Sequence, residues 1–217
     1  MRHTIVALIV VAGIGCSSPA AEQPPATRQA AKPISDLPDG WKARLDDPAA
    51  KENDVVVRSE EDAVIVTSGP AGIYYKPDMK AEKDYTVSAT FSQLKPTTQP
   101  QPYGLFVSGA DLDKDTMRYT ALLVRGDGKF QILQWAGGKT AHIVEWKAAP
   151  PMLEPKGVKT TNTLTIRALQ DGVHFLIGDK EVHQMSRARA GADGVTGVRV
   201  GPGLNVQITK FEVKKFP

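Results

Sequence analysis

Two tryptophans stand eleven residues apart in FQILQWAGGKTAHIVEW, residues 130–146, on either side of Gly137-Gly138. An indole offers a flat apolar face to the C–H surface of a sugar, and amide or imidazole groups beside it can hydrogen-bond hydroxyls. A two-residue turn at the glycines sets Trp135 opposite Thr140, Leu133 opposite His142, Gln131 opposite Val144 and Lys129 opposite Trp146. Trp135, Trp146, Gln131 and His142 then share one face and are the candidate ligand-binding residues. The rings fall roughly 20 Å apart at the rise of a strand, too far for one sugar to touch both. This face reads either as a groove with a single stacking ring or as an amphipathic surface covered by a loop such as KPTTQPQP, residues 95–102. Phe130, Ile132, Ala141 and Ile143 form the opposite, core face. A one-residue change in the turn would exchange the two faces.

Three aspartates alternate in DLDKD: Asp111, Asp113 and Asp115. Carboxylates at this spacing begin a calcium loop, but Thr116 occupies the position of the turn glycine and Leu122 that of the bidentate glutamate, which excludes an EF-hand. A calcium ion on the three aspartates is weighed against a solvated acidic loop; no other cofactor is expected. His174 and His183 face one another if Gly178-Asp179 is the turn. Zinc requires three or four ligands and only Glu181 shares that face, so a pH-sensitive pair is the default. No Gly-x-Ser-x-Gly, His-Glu-x-x-His or phosphate-binding glycine loop is present.

The elements that must hold these residues read as strands almost throughout. In YTVSATF, residues 85–91, Tyr85, Val87, Ala89 and Phe91 alternate with Thr86, Ser88 and Thr90. Further runs at 62–68, 103–109, 118–124 and 129–135, and six more after residue 140, are separated by turn signals at Gly126-Asp127-Gly128, Asp171-Gly172 and Gly178-Asp179. In the last run Leu204, Val206 and Ile208 have one parity and Phe211 and Val213 the other, which predicts a β-bulge near Thr209-Lys210. About a dozen short strands and no long helix predict an all-β antiparallel sandwich or barrel.

The stretch from Gly104 to Met152, with its polar loop, aromatic strand, Asp-Gly turn and two strands ending in tryptophan, resembles concanavalin A-like lectin/glucanase domains. More narrowly it resembles the laminin-G-like and 3-keto-disaccharide hydrolase (DUF1080) types. NTLTIRALQDGVHFLIGDKEV and the closing GVTGVRVGPGLNVQITKFEVKKF extend the resemblance over about residues 40–216. It implies a jelly roll of two curved sheets with ligands on a concave face or at one rim. The retaining glucanases of that fold carry Glu-x-Asp-x-x-Glu on one strand; here ENDVVV and EEDAVI begin the pattern and lack its final acid.

The chain opens MRHTIVALIVVAGIGCSSPAA. Arg2 precedes ten apolar residues, 5–14, too few to span a bilayer and suited to the core of a signal peptide. The only cysteine, Cys16, follows and resembles the acylated cysteine of a bacterial lipobox, with Gly13 where that family usually carries leucine. The expected organisation is a signal peptide at 1–15, a lipidated Cys16 with a Pro/Ala/Gln-rich tether at 16–38, and one domain at 39–217. With 27 basic and 24 acidic side chains the formal charge is +3, too balanced for a nucleic-acid partner. The expectation is a secreted, lipid-anchored cell-envelope protein, facing periplasm or exterior from the outer membrane. Its jelly roll would bind glycan or a protein surface without catalysis. The alternative is a glycoside hydrolase of the 3-keto-disaccharide type acting through a carboxylate such as Asp111, Asp113 or Glu145. A module that packs on another envelope protein is the third reading.

Overall fold

The computed structural model describes residues 37–51, 54–149 and 160–216. The expected signal peptide, Cys16 and the tether up to residue 36 lie outside the described residues. Fourteen strands form two seven-stranded antiparallel sheets. One sheet contains β1 (Lys42–Leu45), β4 (Gly72–Ala81), β6 (Pro102–Ala110), β7 (Arg118–Arg125), β8 (Lys129–Ala136), β9 (Lys139–Ala148) and β13 (Gly194–Val200), in the order β1-β4-β13-β6-β7-β8-β9. The other contains β2 (Val55–Glu60), β3 (Ala63–Ser68), β5 (Tyr85–Gln93), β10 (Thr160–Leu169), β11 (Gly172–Ile177), β12 (Lys180–Met185) and β14 (Asn205–Lys215), in the order β12-β11-β10-β5-β14-β3-β2. A single-turn helix, α1 (Arg187–Ala190), is capped by Ser186 at its start and by left-handed Gly191 at its end.

Alternation builds the middle of the sandwich. Tyr85, Val87, Ala89 and Phe91 of β5 are buried and meet Tyr103, Leu105 and Val107 of β6 across the gap. Phe91 and Tyr103 pack with ring centroids 5.7 Å apart. The Tyr85 hydroxyl donates to the carbonyl of Ala192, so the largest polar group brought inward by β5 is satisfied. Gly137 and Gly138 both adopt positive φ (56° and 78°), the backbone that a two-residue hairpin turn requires. The expected bulge in β14 is present: the ladder to β5 slips between Thr209 and Glu212, Lys210 takes φ 52°, and Phe211 and Val213 return to the core.

β1, β2 and β4 were absent from the sequence reading. β1 is only four residues long, and β4, GIYYKPDMKA, contains Pro77, which argues against an internal strand. The structure accommodates the proline where the β4–β13 register jumps: Gly197 pairs with Tyr75 and Val195 with Lys80, so Pro77 falls in the unpaired interval.

Candidate functional site

A second apolar cluster lies on the face of the first sheet turned away from the core. It is built by Ile73 and Tyr75 of β4, Phe106 of β6, Tyr119, Ala121 and Leu123 of β7, and Leu133 of β8. Leu112 and Met117, from the loop between β6 and β7, are buried against it. The loop that closes over this face is therefore 111–117 rather than 95–102. Arg44 of β1 holds it down, donating to the Lys114 carbonyl and, at 3.0 Å, to Asp115. Trp135 and Trp146 pack on the same cluster, half-buried.

Each tryptophan carries a guanidinium that is itself clamped by an aspartate. The Arg125 guanidinium lies 4.4 Å from the Trp146 ring centre and donates to both oxygens of Asp127, at 3.0 and 2.7 Å. The Arg199 guanidinium lies 5.3 Å from the Trp135 ring and donates to both oxygens of Asp46, one of them at 3.0 Å. Trp135 also stacks on Tyr119, its ladder partner, with centroids 6.1 Å apart and planes 10° apart. Such contacts fix ring orientation and are each worth about 0.5–2 kcal/mol. The Tyr119 hydroxyl is buried with no hydrogen-bond partner among the described residues. Burial pushes it up to about 12, against the opposing pull of Arg199, so it keeps its proton at neutral pH and remains a donor.

The sequence candidates Gln131 and His142 meet on this face. The Gln131 amide Nε2 lies 2.8 Å from His142 Nδ1. An amide nitrogen only donates, so the imidazole nitrogen is the acceptor in this contact. The pairing differs from the expected one. Leu133 faces His142 and Trp135 faces Thr140 as predicted, but Ile132 pairs with Val144 and Phe130 with Lys147. Two irregularities in β9 cause this. Val144 turns to the core, with Ile143 half-buried beside it, and Glu145 and Trp146 stand opposite Gln131. Trp146 is thus about four ladder positions from Trp135, roughly 14 Å rather than 20 Å. Ala141, assigned to the core from sequence, is exposed.

The remaining candidates are dispersed. Asp111 pairs with Lys114 at 3.1 Å and Arg118 at 3.9 Å, and Asp115 with Arg44. Among the described residues no group of three or more His, Cys, Asp or Glu side chains is arranged to hold a metal ion. His174 and His183 do not face each other: a bulge between Phe175 and Leu176 sets His174 opposite Gln184 and His183 opposite Phe175. His174 lies between Glu181 (2.8 Å) and Asp171 (3.2 Å). A separate cleft of about 550 Å³ opens beside Trp41, Lys76 and Phe211, away from these residues.

Arg199, Asp46, Arg125, Asp127 and Tyr119 escaped the sequence reading. Asp46 and Arg199 are 153 residues apart, so no local pattern joins them. Arg125 and Asp127 flank a turn glycine, and that spacing was the one local signal available.

No protein-family model matches the chain, and no curated protein matches it. Solved structures do. The carbohydrate binding module CBM66 from Bacillus subtilis is 12% identical with a TM-score of 0.60, over 81% of this chain and 95% of that one. A GH16 protein of a Bacteroides ovatus mixed-linkage glucan system, solved with a G4G4G3G product, is 9% identical with a TM-score of 0.54, over 81% and 95%. The carbohydrate recognition domain of Emp47p is 12% identical with a TM-score of 0.52, over 82% and 89%. At these identities the likeness is one of fold, and the fold is the concanavalin A-like jelly-roll sandwich.

Proposed function

We propose that the chain is a cell-envelope lipoprotein whose jelly roll binds glycan on the outer face of the first sheet and does not cleave it. The observation that carries this reading is the pair of indoles held on one face by guanidinium clamps, with the Gln131–His142 pair between them. Aromatic surface for C–H faces and fixed polar groups for hydroxyls are what sugar recognition needs. The fold's carbohydrate-binding relatives support it as analogy. Three carboxylates of this face, Asp46, Asp115 and Asp127, each accept from an arginine. That is the state of a clamp rather than of a free acid or nucleophile, and it supports binding over hydrolysis.

The test is retention on insoluble polysaccharides with a reducing-sugar assay in parallel. Retention without sugar release, weakened about tenfold or more by Trp135→Ala and by Trp146→Ala, is the expected outcome. Release of sugar that disappears in a Glu145→Gln or Asp113→Asn variant would replace this reading with the hydrolase. The anchor is tested separately: labelled palmitate enters the wild-type chain in a bacterial host and not Cys16→Ala.

A further inference from the structure

We infer that the ligand of this face is an uncharged oligosaccharide long enough to reach both clamped indoles. The inference rests on the binding reading above and adds its chemical class. Three arginines line the face, Arg44, Arg125 and Arg199, and each is matched by one aspartate, Asp115, Asp127 and Asp46. Their charges cancel pair by pair. Two of the pairs are bidentate, so the donors that a carboxylate or sulfate would seek are already turned toward protein oxygens. Arg199 is 8% exposed and cannot swing out to meet an anion without leaving Asp46.

Between the clamped pairs a ligand meets the exposed His142 imidazole and the accessible parts of the half-buried Trp135 and Trp146. A hydroxyl-rich, uncharged chain suits them; a uronate places its charge beside Asp46, Asp115 or Asp127, whose arginines are already paired, and only the exposed Lys42 and Lys129 at the margins of the face could offset it. The separation of the rings, roughly 14 Å along the strands, exceeds one sugar unit and demands an extended occupant.

The experiment is calorimetric titration of the full chain with neutral gluco-, xylo- and fructo-oligosaccharides of increasing length and with oligogalacturonate, at low and high salt. One neutral series binds, its affinity climbs at least about fivefold from disaccharide to hexasaccharide, and salt leaves it unchanged. Oligogalacturonate does not bind. Asp127→Asn, which frees Arg125, acquires salt-sensitive oligogalacturonate binding. Salt-sensitive preference of the wild-type chain for oligogalacturonate would overturn the inference and leave glycan binding standing. A monosaccharide bound as tightly as a hexasaccharide would overturn the requirement for length. No binding of any series by folded protein would remove both the inference and the reading beneath it.

Discussion

Asp46→Ala isolates the energetics of the site. The substitution strands the Arg199 guanidinium, whose side chain is 10% exposed, without its anion. Breaking a fully buried ion pair from one side costs about 3–5 kcal/mol, because the remaining charge has lost both water and partner. The Asp46 side chain is 25% exposed, so water reaches the vacated position and the expected loss falls to about 2–4 kcal/mol. The Arg44–Asp115 pair provides an internal control: its side chains are 20% and 65% exposed, and Asp115→Ala costs at most about 1 kcal/mol. Urea unfolding followed by tryptophan fluorescence and far-ultraviolet dichroism measures both. The double variant Asp46→Ala/Arg199→Met removes the stranded charge, keeps an apolar side chain beside Trp135, and recovers most of the loss. Equal, small costs for Asp46→Ala and Asp115→Ala, or no recovery in the double variant, would refute the claim that a desolvated charge pair holds this face.

Burial lowers the affinity of His174 for a proton, but its hydrogen bonds to Glu181 and Asp171 outweigh that and leave the pKa raised, so its stabilising contribution is full below the ordinary imidazole value of 6.5 and is lost as pH rises through the folded value. His183 is shifted down, first by burial and then by Lys147 and Arg189, and acts with the opposite sign; the wild-type chain therefore loses more stability from about pH 5 to about pH 9 than His174→Gln does, measured as urea midpoints. Gly104→Ala sets a Cβ 2.0 Å from the Leu122 carbonyl oxygen on the paired strand, a backbone atom that cannot step aside; the loss reaches or exceeds about 3 kcal/mol, whereas Gly128→Ala, with open space but φ 77°, costs about 1–2 kcal/mol.

The sandwich was legible because its information is local. Alternation in residues 85–91, the glycine turns and the parity switch in 204–213 each specify a face or a reversal within a few residues, and all three are realised. β4 was illegible because the proline that argues against a strand is excused only by a register jump against β13, more than a hundred residues later in the chain. The four glycan candidates were found through residue type and a two-glycine turn, which together put Trp135, Gln131 and His142 on one face. What holds them was not found: Asp46, Arg199 and Tyr119 come from strands or strand ends scattered along the chain and meet only in the folded sheet.

The irregularities in β9 link the strand pattern to the site. In an even ladder, Trp146 would stand opposite Lys129 at the far end of the hairpin, and Val144 would lie on the outer face opposite Gln131. The two slips draw Trp146 back to the level of Gln131, beside Arg125, and turn Val144 into the core against Ile132. The two slips together pack an aliphatic side chain against the core and draw the second indole closer to Trp135 on the face they share. Bulges disturb ladder pairing, and they persist where the re-aimed side chains gain more than the lost pairing costs. Here the gain includes a half-buried valine packed on the core and a tryptophan seated on a clamped guanidinium, while Trp135 is fixed independently by Tyr119 and Arg199. Both rings are therefore held in fixed orientations, so a ligand of the proposed kind would lose less freedom on binding.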